Sequence, residues 1–267
     1  MEQKKNNFKI VSDKKARIIL PNAITLIGVC IGLTSIKFAI DGKFAIAIIA
    51  VLFAGLMDAL DGRIARLIKG TSKMGKELDS LGDVISFGVA PALIMYFWNL
   101  QYLEKLGWFV CLTYVVCVAL RLARFNVNSE EEPSWKDNFF EGMPSPAGGI
   151  IVLLPLIFSF SELGNFLPEV NYDLLVPVIF IGVSILLIST IPTYSFKKIV
   201  IQRSLTKFLL FGIVLFFGAL LVYTFKILAI SSFVYLCLLP ISYFHFKKIK
   251  KEKNIISDKD EGLEDIL

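Results

Sequence analysis

Histidine is almost missing from this chain: one residue, His245, in 267. Cysteine is scarce as well. Cys30, Cys111, Cys117 and Cys237 each stand inside an apolar block, and none forms a CxxC pair. That pattern argues against a zinc centre or a disulfide framework. Charge is also low. Asp, Glu, Lys and Arg make up 19% of the residues, where a soluble domain carries about 25%. The basic N-terminus is not followed by a short apolar core with a small-residue cleavage site, so the first apolar block reads as a retained helix. No internal repeat is visible.

What is abundant is apolar sequence: 55% of residues are hydrophobic, and the mean hydropathy is +0.69. These residues gather into long blocks separated by short polar breaks. A block of about 18 or more apolar residues reads as a membrane-spanning helix. The pattern predicts an all-α polytopic membrane protein with about eight transmembrane helices, near 20–40, 43–68, 79–98, 106–126, 146–162, 173–192, 207–225 and 228–246. Four regions follow from it: a basic N-terminal arm (1–19), a core (20–200), two additional C-terminal helices (201–246) and a charged tail (247–267). The arm reads either as an amphipathic surface helix or as a solvated segment. The tail, basic then acidic, reads as disordered toward its end.

Basic residues orient the spans. With the N-terminus in the cytoplasm, only Lys37, Lys43, Lys105 and Lys226 of the 28 Lys and Arg fall near the opposite side. Lys and Arg concentrate in cytoplasmic loops, so both termini are expected inside.

Against this apolar background, residues 56–86 read LMDALDGRIARLIKGTSKMGKELDSLGDVIS. A charge at bilayer depth costs about 2.5–3.5 kcal/mol on insertion scales, and four carboxylates together repel. Asp58 and Asp61 are three apart on one helix face; Asp79 and Asp83 are four apart on the next. A cytoplasmic loop joins the two helices, so their acidic ends can meet at one depth. Bound Mg²⁺, Mn²⁺ or Ca²⁺ would remove the repulsion, because hard oxygen ligands suit hard cations. Gly62 and Ala65 allow close approach of a bulky group. Arg63, Arg66, Lys69, Lys73 and Lys76 add positive charge, Gly70 and Gly75 permit an irregular loop, and Thr71 and Ser72 offer hydroxyls. Metal, carboxylates and cations together suit phosphoryl-type transfer. A transporter or channel would spread polar groups along the full bilayer depth, whereas here they crowd one end.

The whole constellation reads D-x-x-D-G-x-x-A-R, eight residues, then G-x-x-x-D-x-x-x-D: Asp58, Asp61, Gly62, Ala65, Arg66, Gly75, Asp79 and Asp83. It resembles, without departure, the signature of the CDP-alcohol phosphatidyltransferase family. The resemblance implies a membrane enzyme that moves a phosphatidyl group from a CDP-linked lipid to an alcohol and releases CMP. It also implies a six-helix core, a homodimer, and a site open to the cytoplasm and to lipid. Asp58, Asp61, Asp79 and Asp83 are then the expected ligands of two Mg²⁺ or Mn²⁺ ions, and Asp83 the expected general base. Asn22, Thr25, Gly62, Ala65, Arg66, Ser72 and Gly75 are the expected contacts of the CDP moiety.

Three further stretches carry the resemblance toward the branch whose acceptor is L-serine: LPNAIT (20–25), ALRLARFN (119–126) and FEGMPSPAGG (140–149). The implied substrates are CDP-diacylglycerol and L-serine, with membrane lipids as surroundings and no nucleic-acid partner. The implied location is a bacterial inner membrane, with the site on the cytoplasmic side. Serine needs a cation for its carboxylate, and Arg121, Arg124 and Asn126 are the candidates. The arginines can equally anchor lipid phosphate or the helix end. A phosphate-bearing acceptor, glycerol 3-phosphate or inositol phosphate, remains the alternative.

Overall fold

The structure is a computed structural model that describes residues 13–128, 139–161, 171–194 and 203–264. Helix α1 (Asp13–Ile40) starts seven residues before the first expected span. It turns into α2 (Phe44–Leu67) over Asp41-Gly42. Gly42 takes a φ of +73°, a conformation in which a Cβ is disfavoured. The amides of Gly42 and Lys43 close the end of α1 on the carbonyls of Ala39 and Phe38. Lys37 and Asp41 pair one turn apart. α1 and α2 then pack together along much of their length.

The other end of α2 carries a comparable stop. The amide of Gly70 bonds the Ala65 carbonyl at 2.8 Å and that of Lys69 bonds the Arg66 carbonyl at 3.3 Å, the Schellman arrangement. The left-handed position belongs to Lys69, with a φ of +52°, rather than to Gly70. Ser72 then caps α3 (Lys73–Asp83) by accepting from the Gly75 amide at 2.9 Å. The loop between the acidic helices is therefore capped at both ends.

From α3 the chain runs without a break through a π-helical stretch, Val84–Val89, into α4 (Ala90–Trp98). Pro91 explains the irregularity. It has no N–H for the carbonyl four residues back and its ring crowds that carbonyl. The residue four back is Phe87, and its carbonyl instead accepts the Tyr114 hydroxyl at 2.7 Å. Tyr114 is fully buried. Tyr114→Phe is expected to leave that carbonyl unpaired and cost about 1–3 kcal/mol, read as a lower unfolding temperature of the detergent-purified protein. Because the π stretch begins at the residue after Asp83, turnover should fall as well.

A 3₁₀ turn at Leu100–Leu103 leads to α5 (Lys105–Asn128). Past it come strand β1 (Phe139–Glu141), α6 (Ser145–Val152), α7 (Leu154–Phe160), α8 (Tyr172–Ile188), strand β2 (Pro192–Tyr194), α9 (Arg203–Val222) and α10 (Thr224–Glu264). The expected single helix over 146–162 is broken at Leu153, because Pro155 cannot donate to the carbonyl of Ile151. β1 and β2 form a short antiparallel ribbon with Phe140 opposite Thr193, which the apolar periodicity did not signal. Gly142, at a φ of +74°, turns the chain from the ribbon toward α6, and a Cβ there would lie 2.6 Å from the Ser189 carbonyl oxygen. Ser242 of α10 donates to the Pro192 carbonyl at 2.9 Å.

The core gathers α4, α5, α6, α7 and α8 around Met95, Tyr114, Val152, Leu156, Phe180 and Leu187. Tyr114 and Phe180 meet edge to face at 5.3 Å. The outer surface is equally apolar, with Phe53, Phe109, Val178, Phe211 and Leu221 all exposed. Among the described residues, five helical stretches are long and apolar enough to cross a membrane: Ile18–Ile40, Phe44–Leu67, Lys73–Trp98, Lys105–Val127 and Thr224–Lys247. Tyr172–Ile188 and Lys207–Val222 are shorter apolar helices. A chain with apolar residues on both its inside and its outside is an integral membrane protein.

One more expectation changes. The charged tail, read as disordered toward its end, is helical to Glu264, because extending an existing helix costs far less than nucleating one. Cys111 and Cys117 are buried, and Cys30 and Cys237 lie on the exterior.

Candidate active site

The acidic pairs arrive from two helices that the capped turn holds side by side. One ligand oxygen from each of Asp58, Asp61 and Asp79 lies within 4.8 Å of the others. Asp61 is buried. The Thr25 hydroxyl on α1 donates to its Oδ2 and also lies 3.1 Å from the Pro21 carbonyl oxygen. Asp83 stands against Asp58, one turn deeper than Asp79. Its Oδ1 is buried and has no hydrogen-bond partner among the described residues.

Among the described residues, no Lys or Arg forms an ion pair with any of the four carboxylates. Such a cluster, taken from water and left without a counter-charge, is strongly unfavourable. A hard divalent cation resolves both the repulsion and the orphaned oxygen of Asp83. Asp58, Asp61 and Asp79 therefore fit a site for a hard divalent cation, with Asp83 beside them. Such an ion would polarise a phosphoryl oxygen and neutralise charge on the transferring group.

Beside the acids opens a cleft of about 300 Å³ between the start of α1, the end of α2 and the start of α3. Asn22, Thr25, Gly62, Ala65, Arg66, Ser72 and Gly75 all line it, together with Asp61 and Asp79. The shape depends on small residues. A Cβ on Gly62 would meet nothing within 4 Å, so the backbone there faces open cleft. A Cβ on Gly75 would come within 2.9 Å of Asn22 Oδ1, so its absence lets α1 close against α3. Arg66 folds back, donating from Nε to the Gly62 carbonyl at 3.0 Å. Lys76 also reaches the cleft and donates to the Asn126 carbonyl at 3.2 Å. Arg63, Lys69 and Lys73 are exposed and do not line it.

The three candidates for the acceptor do not converge on one point. Arg121 is buried and donates from Nη1 to the Ser145 hydroxyl at the start of α6. It also lies within electrostatic reach of Asp83. Asn126 turns toward α3, donating from Nδ2 to Ser80 Oγ at 2.9 Å. Arg124 is half-buried and has the like charge of Arg121 nearby. The sequence reading missed two groups beside the site. One is Tyr114, which holds the π stretch after Asp83; Pro91 was the available signal. The other is Tyr235 on α10, near Arg121 and Thr193, for which a lone tyrosine in an apolar span provides none.

The whole arrangement matches one known class. The sequence profile of the CDP-alcohol phosphatidyltransferases matches residues 18–186, and the chain belongs to that family. It is 35% identical over 247 residues to the CDP-diacylglycerol–serine O-phosphatidyltransferase of Mycobacterium tuberculosis, covering 90% of this chain and 84% of that one. It is 36% identical over 181 residues to the enzyme of the same name from Helicobacter pylori, covering 68% and 74%. It is also 36% identical over 189 residues to the archaetidylserine synthase of Methanothermobacter thermautotrophicus, covering 68% and 73%.

Proposed function

We propose that this protein transfers the phosphatidyl group of CDP-diacylglycerol to the hydroxyl of L-serine, giving phosphatidylserine and CMP. The observation that supports the reading is the meeting of Asp58, Asp61 and Asp79 within 4.8 Å at a cleft that Asp61 and Asp79 line, with an orphaned Asp83 oxygen nearby. The names of the relatives support serine as the acceptor, since two different donor lipids occur among them but the serine is common.

The cleft holds the CDP end of the donor, with Gly62 and Ala65 against the nucleotide and Arg66 and Lys76 near its phosphates. Asp83 accepts the proton of the serine hydroxyl. The serine oxygen forms a bond to the lipid-bearing phosphorus as the bond from that phosphorus to the CMP oxygen breaks, and CMP leaves with the electron pair. Mg²⁺ or Mn²⁺, two per site, held by Asp58, Asp61, Asp79 and Asp83, would supply charge neutralisation on the phosphates. Proximity contributes much of the rest, because donor and acceptor are held on fixed helices.

The surroundings follow from the same reading. The chain crosses a bacterial inner membrane about eight times, with both termini and the cleft on the cytoplasmic side, as its basic residues favour. Residues 20–200 form the catalytic core, preceded by a basic arm (1–19). Residues 201–246 add two helices, 247–267 form a cytoplasmic extension, and the working unit is a homodimer. The direct test is CMP release by purified protein given CDP-diacylglycerol, Mg²⁺ or Mn²⁺, and one alcohol at a time. Release that depends on glycerol 3-phosphate or an inositol phosphate, and not on serine, would sink the assignment.

Arg121 carries the acceptor side of this reading, with Arg124 and Asn126 at its margin. Charge-assisted hydrogen bonds contribute about 1.5–3 kcal/mol, so Arg121→Ala is expected to raise the KM for serine roughly ten- to a hundredfold. The KM for CDP-diacylglycerol should change much less. Arg121→Lys should recover only part, because ammonium lacks the planar fork. Steady-state kinetics with each substrate varied in turn will check this.

A further inference from the structure

The matched family region ends at residue 186, and α10 lies beyond it. Yet α10 packs against α6, α7 and β2, the elements behind Arg121. Ser242 pins it to β2 through the Pro192 carbonyl, and Thr193 beside it donates to the Gly142 carbonyl at 2.9 Å. That places Tyr235 of α10 next to Thr193 and within electrostatic reach of Arg121.

Arg121 Nε is buried with no hydrogen-bond partner among the described residues, and the buried Tyr235 hydroxyl stands beside the Thr193 side chain without a well-formed hydrogen bond to it, since Thr193 donates to the Gly142 carbonyl instead. Asp83, whose Oδ1 is likewise unpaired, also lies within electrostatic reach of Arg121. Buried polar groups are nearly always paired, so a cluster of orphans needs an occupant. Arg121 Nε is a donor only, and a phenol is a good donor to an anion. An anionic ligand satisfies both, while Asp83 lies on the side where a hydroxyl must lose its proton.

Resting on the reading of this chain as a transferase to a hydroxy amino acid, we propose that Tyr235 completes the acceptor pocket. Its hydroxyl and the Nε edge of Arg121 together take the carboxylate of the incoming amino acid. The C-terminal helix then contributes to acceptor choice, and the reacting hydroxyl is directed toward Asp83.

The test is Tyr235→Phe in the full-length protein, which removes one hydroxyl and keeps the ring. The KM for L-serine is expected to rise roughly tenfold, the effect of losing one hydrogen bond to a charged group. The KM for CDP-diacylglycerol and the metal concentration at half-activity should stay unchanged. Ethanolamine, which is serine without its carboxylate, should inhibit the variant and the parent equally. Tyr235→Gln, which restores a donor, should regain part of the lost affinity. Unfolding temperature in detergent is measured alongside. An unmoved serine KM overturns the proposal. So does an equal loss of affinity for both substrates, or a parallel weakening of ethanolamine inhibition. Absence of serine-dependent CMP release from the parent protein would instead overturn the proposed reaction itself.

Discussion

Asp83→Asn is expected to lower kcat by roughly 10²–10⁴-fold, the usual contribution of a positioned base, while binding of the CDP-lipid persists. The amide keeps the size of the carboxyl and can still offer an oxygen, but it cannot accept the proton of the incoming hydroxyl. Asp83 also lies one helical turn past Asp79 and does not line the cleft that Asp61 and Asp79 line. Its loss should therefore fall on chemistry more than on donor binding. Asp61→Asn should differ. Asp61 lines the cleft and is held by Thr25, so both metal and nucleotide affinity should drop with turnover. Single-turnover CMP release, with CDP-lipid binding measured separately, distinguishes the two variants. Near-normal turnover in Asp83→Asn would remove the base from the mechanism.

Stripping divalent cations is expected to abolish activity altogether, with Mg²⁺ or Mn²⁺ restoring it. The physical reason is the one that makes the site possible. Four carboxylates at membrane depth, with no Lys or Arg ion pair among the described residues, are held together only with a counter-charge. Binding of the cation to the folded chain also stabilises it by mass action, by about 2.7 kcal/mol at a hundredfold excess over Kd. Chelation should therefore lower the unfolding temperature of the detergent-purified protein as well as stop turnover. Asp58→Asn combined with Asp79→Asn should blunt that thermal response. Full activity in excess chelator would show that the acids serve some other purpose.

The acidic site was legible because its residues are local. Asp58 to Asp83 occupy one helical hairpin, and helical spacing alone puts each pair on a face. The cleft was legible too, since Gly62, Ala65, Arg66, Ser72 and Gly75 come from the same stretch. Only Asn22 and Thr25 had to be brought from α1, and the family resemblance supplied them. The acceptor side was less legible. Arg121, Arg124 and Asn126 share a helix end in sequence, but in the fold they separate toward α6, the half-exposed margin and α3. Helical periodicity places residues on a face; it does not say which neighbour that face meets.

By itself the sequence determined that this is a membrane protein built of long apolar helices, and that an acidic signature able to hold a metal ion sits at the end of one hairpin. Both depend on spacing and composition over short distances, which survive without knowledge of the fold. Only the tertiary structure decided the rest. The missing N–H of Pro91 left a π stretch between α3 and α4, where the Tyr114 hydroxyl takes up the Phe87 carbonyl. Lys69, not a glycine, took the left-handed end of α2. A ribbon between residues 139–141 and 192–194 brought α10 and Tyr235 behind Arg121. Each of these depends on groups far apart in the chain satisfying one another's backbone and side-chain hydrogen bonds, and no local pattern encodes such a partner.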